Sequence, residues 1–127
     1  MRPIKFRVWE KLTKTMWNVA ALDFPQKTIQ IKHPVMNRVT LEFREGKLMQ
    51  FTGLLDKNGK EIYEGDIVSY YDMPHVVEFH SGCFLLRRKY EIKNWGADHY
   101  EVIGNVFDNP EFLKPFTNVT ARKKKNV

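Results

Sequence analysis

The sequence predicts an all-β protein, and three observations support that class. Apolar and polar residues alternate with a period of two in short segments such as Ile4–Trp9 and Arg38–Phe43, as expected for strands with one buried face. Turn-forming pairs such as Asn58-Gly59 and Ser81-Gly82 separate these segments at short intervals. Aromatic residues make up 13% of the 127 residues, and they suit half-buried pleated surfaces. Together these features favour a barrel or sandwich.

Short strands are predicted along most of the chain, with prolines between them. Pro25, Pro34 and Met73-Pro74 each mark a break, because proline cannot donate a hydrogen bond to a sheet. The segment Arg44–Lys47 predicts a hairpin turn that contains Gly46. The predicted strands cover 4–9, 16–22, 28–32, 38–43, 48–51, 66–72, 75–80, 83–90 and 99–106.

The stretch 51–70 organises this arrangement. Asn58-Gly59 is a strong signal for a two-residue type I′ hairpin turn, since both central residues of that turn need a positive φ. The turn would place Lys57 and Lys60 at its corners. Gly65 predicts a second tight turn that leads into the next strand.

One helix-start signal lies near the C-terminus. Asn109 is predicted to cap a short helical turn, with Pro110 at its first position and Glu111 near the positive end of its dipole. The polar and basic residues 117–127 are expected to form a disordered tail.

The chain is expected to fold as a single domain over 1–116. Two β sub-units, 1–46 and 47–116, are the alternative, but no linker composition separates them. The lone Cys83 excludes an internal disulfide and fits a reducing compartment. The charged N-terminus is unlike a signal peptide, so a cytoplasmic location is expected, with no membrane as a partner.

The net charge of +6 is concentrated in the tail. Four of the 21 lysine and arginine residues lie at 122–125, which leaves 17 against 15 aspartate and glutamate residues. The basic pI is therefore weak support for nucleic-acid binding by the domain itself.

No motif for a nucleophile, a phosphate-binding loop or a metalloprotease occurs in the sequence. No catalytic residue, metal ligand or cofactor is therefore predicted. The soft metal-ligand candidates are His75, His80, Cys83 and His99, and surface histidines with a buried thiol are the favoured interpretation. An enzyme would have to assemble its site from those histidines together with Glu64 and Asp66, and we regard these carboxylates as a solvated rim.

The candidate nucleic-acid site combines basic residues with aromatic ones, which can contact phosphates and stack on bases. The alternative is a charged strand edge that resists aggregation. The candidates are Arg87, Arg88, Lys89, Tyr90, Lys93 and Trp95, together with Arg122, Lys123, Lys124 and Lys125 of the tail.

Three segments of the sequence resemble the YopX family of phage and prophage proteins. They are Ile4–Glu10, Phe51–Val68 and Glu101–Leu113, in the family's order. The resemblance covers nearly all of 1–114 and implies a small β-rich fold with an SH3-like barrel, with no established activity to carry over. Turn positions would account for much of the match, and the backbone-permissive ones are Gly53, Gly59, Gly65 and Gly104, beside Asn58.

The sequence therefore favours a non-enzymatic binding or adaptor module that acts through protein partners or self-association. The alternative is a nucleic-acid-binding protein that uses residues 87–89 and the tail 122–125.

Overall fold

The computed structural model describes residues 3–80, 82–86, 90–92 and 99–113. Strands dominate these residues, with short 3-10 turns at Phe43–Glu45 and Pro110–Leu113, so the all-β prediction is confirmed. The strands of the described part are β1 (Phe6–Glu10), β2 (Thr15–Asp23), β3 (Thr28–His33), β4 (Asn37–Glu42), β5 (Gly46–Leu55), β6 (Glu61–Tyr63), β7 (Asp66–Tyr70), β8 (Met73–His80), β9 (Cys83–Leu86), β10 (Tyr90–Glu91) and β11 (Tyr100–Asn105).

The strands form two antiparallel sheets. One has six strands in the order β4-β3-β2-β1-β5-β6, and the other has five in the order β10-β9-β8-β7-β11. Each order has two ends within the described residues, so the predicted SH3-like barrel is not closed by a continuous ladder, although the mainly-β class holds.

The chain divides into two compact units, Met1–Gly53 and Leu54–Val127. We call these the first unit and the second unit. The assignment of 1–116 to a single domain stays a prediction, and the tail 117–127 lies outside the described residues.

The long strand β2 organises the first unit. Its first half pairs with β1, where Thr15 lies opposite Glu10, and its second half pairs with β3, where Leu22 lies opposite Ile29. The register shifts between Val19 and Ala21, and such a bulge bends a strand so that both of its halves can cover one core. That core is built on the buried side chains of Val8, Ile29, Ile31 and Leu41.

The first 3-10 turn is capped by its own carboxylates and covers the end of β4. The Glu42 N–H donates to Glu45 Oε1 at 2.8 Å, and the Glu42 side chain accepts in return from the turn backbone. At the other end of β4 the Arg38 N–H donates to the Met36 carbonyl at 2.7 Å.

The second unit is built around β7, β8 and β11. β7 lies between β8 and β11 in its sheet. Its Val68 is fully buried in a cluster that draws on β6, β8, β9, the residue after β10, and β11. The members of that cluster are Ile62, Val68, Val77, Leu86, Ile92 and Tyr100.

The turn at Asn58-Gly59 differs from the predicted type I′ turn. Gly59 has a φ of +82°, whereas Asn58 is not among the residues with positive φ. The Asp56 N–H donates to the Lys60 carbonyl at 2.8 Å, and the Gly59 N–H donates to the Asp56 carbonyl at 3.0 Å. A three-residue loop that ends in a left-handed glycine therefore joins Asp56 to Lys60, and the prediction of Lys57 and Lys60 as turn corners is wrong.

The other predicted glycine positions have different roles. Gly53 and Gly65 both have a φ of +87°, which confirms the need for a permissive backbone, and the Gly65 N–H donates to Val77 at 2.8 Å. Gly104 needs space instead, because a Cβ there would lie within 3.0 Å of three side-chain atoms of Asn109. Gly104 also adjoins the register shift of β11 against β7.

The C-terminal turn starts at the predicted residue, but Asn109 does not act as the predicted cap, because its Oδ1 accepts from the Asn105 N–H before the turn at 3.3 Å. Asn105 Oδ1 accepts from the N–H groups of Phe107 and Asp108 at 3.0 and 2.9 Å, and the Asn109 N–H donates to the Asn105 carbonyl at 2.9 Å. The 3-10 turn then begins at Pro110, whose missing N–H costs nothing at a first helical position.

The predicted break at Met73-Pro74 is wrong, because β8 begins at Met73. Tyr70 lies opposite Met73 and Ser69 lies opposite Pro74. Hydrogen-bonded and non-hydrogen-bonded pairs alternate along an antiparallel ladder. Tyr70 and Met73 close the two-residue turn as a hydrogen-bonded pair, so the Pro74 position needs no N–H toward β7.

Gly46 begins β5 in an extended conformation, with a φ of −151°, rather than serving as a turn residue. A Cβ at Gly46 would lie 2.5 Å from Val8 Cγ2 and 2.9 Å from the Trp9 carbonyl oxygen.

We expect Gly46→Ala to lower the free energy of unfolding by about 1–3 kcal/mol, as overpacking does, measured by urea denaturation. The control is Gly59→Asn, because a Cβ at Gly59 meets nothing within 4 Å and Asn tolerates positive φ. Equal losses for the two variants would contradict the steric explanation.

Candidate functional site

The β7–β8 hairpin carries a strained turn. Tyr71 and Asp72 have φ values of +51° and +61° and join the paired residues Tyr70 and Met73. This is the type I′ geometry, which favours Asn, Asp or Gly at both central positions. The sequence pattern placed such a turn at Asn58-Gly59, but the structure has it here, with a tyrosine at its first central position.

Aromatic rings from β7, β8 and β11 meet at this turn. The Tyr71 ring stacks on His99, with centroids 5.7 Å apart and an interplanar angle of 17°. The centroid of the Tyr70 ring lies 4.4 Å from that of Tyr71, 5.1 Å from that of Tyr100 and 6.2 Å from that of His75. We call Tyr70, Tyr71, His75, His99 and Tyr100 the aromatic surface.

The aromatic surface runs from the core to solvent. Tyr100 and His75 are buried, and Tyr70 is half-buried against the core of the second unit. The Tyr71 side chain is 71% exposed, and His99 is exposed as well. The outer rings are therefore held by a buried ring layer and remain exposed to solvent.

The backbone at Tyr71 is costly for this side chain. A left-handed conformation costs an L-residue other than glycine about 1–2 kcal/mol, and a ring that is 71% exposed recovers little of it by burial. Non-glycine residues in such conformations often mark functional positions. The turn chemistry alone therefore does not explain why a tyrosine occupies position 71.

A buried carboxylate anchors β11, the strand that carries Tyr100. Asp56 Oδ1 accepts from the Asn58 and Lys60 N–H groups at 2.8 and 2.9 Å, and Oδ2 accepts from Val102 at 2.9 Å. The Lys57 N–H donates to the Tyr100 carbonyl at 2.9 Å. The turn after β5 is thereby fixed against the outer side of β11, next to the aromatic surface.

The environment of Asp56 stabilises its charged form. Burial by itself would raise the pKa of Asp56, but the hydrogen bonds from the backbone N–H groups of Val102, Lys60 and Asn58 outweigh it, and the Lys60 charge adds to their effect. The pKa of Asp56 consequently lies below its ordinary value.

Most of the predicted nucleic-acid candidates lie outside the described residues. The structure places Tyr90 in β10, opposite Leu86 of β9. The remaining candidates lie outside the described part of the chain, namely Arg87, Arg88, Lys89, Lys93, Trp95, Arg122, Lys123, Lys124 and Lys125.

The structure brings two of the candidate metal ligands together, because His80 lies opposite Cys83 in the β8–β9 ladder. His75 is buried and His80 is exposed on the same strand. Asp66 Oδ2 accepts from the Tyr63 N–H at 2.7 Å, which is a structural role at the turn between β6 and β7. Within the described ranges, no three His, Cys, Asp or Glu side chains form a group that could hold a metal ion. The same ranges contain no helix with the length and hydropathy needed to cross a bilayer.

The fold and the aromatic surface define a small all-β protein with an exposed cluster of stacked rings. The chain belongs to the YopX protein family, whose model matches residues 5–114. It is also similar to a solved structure, protein EF1440 from Enterococcus faecalis, with 29% sequence identity and a TM-score of 0.68. That match covers 89% of this chain and 99% of the other. No curated protein matches the chain.

Asp56→Asn tests the anchor of β11. The asparagine amide would turn an NH₂ group toward one of the three N–H donors. We therefore expect the free energy of unfolding to fall by about 1–3 kcal/mol at neutral pH. Because the folded-state pKa is lowered, the carboxylate contributes its stability above pH of about 4 and loses it as the pH falls through the folded-state pKa. Denaturation curves at several pH values should show that the difference in unfolding free energy between Asp56→Asn and the native chain shrinks below pH of about 4.

The control for that measurement is Asp72→Asn, which removes an exposed carboxylate from a turn that asparagine also suits. Its stability should follow the native chain across the same pH range. A gap between Asp56→Asn and the native chain that stays constant down to the lowest pH would contradict the assignment of a lowered pKa.

Proposed function

We propose that this chain is a non-enzymatic binding module that docks a protein partner through its aromatic surface. The observation that carries the proposal is Tyr71, an exposed ring held on a left-handed backbone and stacked on His99. Tyrosine is enriched at the energetic centres of protein interfaces, where a large and rigid ring contributes area at low entropic cost. The setting that fits this proposal is a bacterial cytoplasm, with the protein encoded by a phage or prophage.

The charges beside the aromatic surface favour a protein over a polyphosphate. Asp72 adjoins Tyr71 in the turn. Lys57 and Glu101, which flank the anchor of β11, neutralise one another through an ion pair of 3.2 Å. These described neighbours carry no excess positive charge, whereas a phosphate backbone requires one.

Nucleic-acid binding is the second candidate, and the exposed ring stack is the observation in its favour. Single-stranded bases stack on aromatic side chains, and Tyr71 presents an exposed ring of that kind. The cations would have to come from Arg87, Arg88, Lys89 and the tail 122–125.

Tyr71→Asn tests the docking role without removing the fold. Asparagine suits the first central position of a type I′ turn, so the free energy of unfolding should fall by no more than about 1 kcal/mol, or rise. The immobilised native chain should recover a specific partner from a bacterial lysate, and Tyr71→Asn should not. With the purified partner, calorimetry should show affinity at least about tenfold weaker for the variant.

The matched control is Phe24→Ala, because Phe24 is a comparably exposed aromatic residue (66%) in the first unit. It should recover the same partner with unchanged affinity. Recovery that is equal for native chain and Tyr71→Asn would remove the aromatic surface from the proposal, and equal loss for both variants would indicate nonspecific hydrophobic capture.

A salt titration with single-stranded and duplex DNA decides the second candidate. We expect no binding by the full chain near physiological salt. Binding with a log-log slope that falls by several units in a chain ending at Phe116 would instead make this a nucleic-acid-binding protein driven by its tail. Binding with an unchanged slope would place the contacts outside the tail.

A further inference from the structure

Two hairpin tips of the first unit expose aliphatic side chains at one end of the sheet. The β1–β2 turn is closed by the pair Glu10 and Thr15, and the β3–β4 turn by the pair His33 and Asn37. In a run of neighbouring antiparallel strands, alternate turns lie at the same end. The Trp17 and His33 rings, on adjacent strands behind the two turns, are 5.3 Å apart.

The tips place large apolar groups directly in solvent. Leu12 is 88% exposed in the first turn, and Val35 and Met36 are 86% and 62% exposed in the second. Singly scattered apolar side chains are ordinary on a protein surface. Three large aliphatic groups on two tips at one end of one sheet are not scattered, and they contribute nothing to the core of this unit.

The second tip is held rigid. His33 Nδ1 accepts from the N–H groups of Val35 and Met36 at 3.1 and 3.0 Å, and Asn37 supplies the left-handed residue that closes the turn, with a φ of +65°. The apolar side chains are thus presented on a preorganised loop.

Exposed cations surround these tips. Lys11 and Lys14 lie in the first turn. Lys32 and Arg38 lie opposite each other in the β3–β4 ladder, directly behind the second turn. Two carboxylate residues lie beside the first turn: Glu10, which accepts from Thr13 Oγ1 and Trp17 Nε1 at 2.6 and 2.9 Å, and Glu45, whose backbone carbonyl accepts from the Lys11 N–H at 3.0 Å. The four cations therefore outnumber the two acidic residues at this end.

From this arrangement we propose that the end of the first unit formed by residues 11–14 and 34–36 binds the surface of an anionic lipid bilayer. Leu12, Val35 and Met36 insert among the acyl chains, and the four cations contact the anionic headgroups. Aliphatic tips favour a bilayer over nucleic acid, because bases stack on aromatic rings and not on leucine or valine. Peripheral binding of this kind differs from the sequence-based expectation that no membrane is involved.

The test is sedimentation of the full chain with vesicles of phosphatidylcholine alone or mixed with phosphatidylglycerol. We expect binding to the mixed vesicles, weakened by salt, and little binding to phosphatidylcholine. Leu12→Ser should weaken binding about tenfold, because it removes most of one inserted side chain. Lys14→Glu should weaken it by about tenfold or more, since each cation near an anionic surface contributes about 1 kcal/mol.

Phe24→Ser is the matched control, since Phe24 lies in the β2–β3 turn, outside the two tips, and is 66% exposed. It should bind the mixed vesicles like the native chain, and all variants should keep the native thermal unfolding curve. Absence of binding to mixed vesicles by the native chain overturns the proposal. So does binding that is unchanged in Leu12→Ser and Lys14→Glu, or an equal loss in Phe24→Ser. Loss of oligonucleotide binding in these variants, without any vesicle binding, would assign the same end to nucleic acid instead.

Discussion

The second unit depends on one buried carboxylate. Asp56 accepts three backbone hydrogen bonds, two within its own turn and one from Val102, so a single side chain both shapes the loop after β5 and attaches it to β11. An acceptor that is shared by three backbone donors costs more to lose than any one of its bonds. The Asp56 carboxylate also explains the turn geometry, because it stabilises a loop in which the N–H groups of Asn58 and Lys60 point toward it.

The aromatic surface follows from that anchor. β11 lies at the edge of its sheet, and it is held from one side by β7 and from the other by Asp56 and Lys57. Tyr100 is therefore fixed against Tyr70, and Tyr70 supports Tyr71. The exposed ring is placed by a chain of contacts that begins in the core, which distinguishes it from an aromatic side chain on a loose loop.

The sequence was sufficient for the strands and insufficient for the turns that matter most. The alternation of apolar and polar residues located β1, β3 and β4 to within two residues, because burial of one face is written in the local pattern. The Asn58-Gly59 signal correctly predicted a hairpin but the wrong turn type. The turn depends on Asp56, and Asp56 also accepts a hydrogen bond from Val102, which lies 46 residues further along the chain. The break was predicted at Met73-Pro74 because of the proline, whereas the turn lies at Tyr71-Asp72.

The candidate site was missed for a related reason. Tyr70 and Tyr71 lie on one hairpin, whereas Tyr100 begins another strand and His99 precedes it, and no local period connects them. The available signal was the pair Tyr70-Tyr71 followed by Asp72 between two alternating segments, where aspartate suits a left-handed turn position. Sequence reasoning instead favoured the basic cluster around Arg87, because charge is visible without a fold.

The way β4 ends has a consequence for how this protein behaves at high concentration. An exposed edge strand is a template on which further chains can grow into fibres. Near both ends of β4 the N–H groups of Arg38 and Glu42 are already bonded to Met36 and to the Glu45 carboxylate. A chain that approaches this edge must break local bonds before it gains new ones, so the three-residue 3-10 turn that follows β4 also protects the sheet against polymerisation.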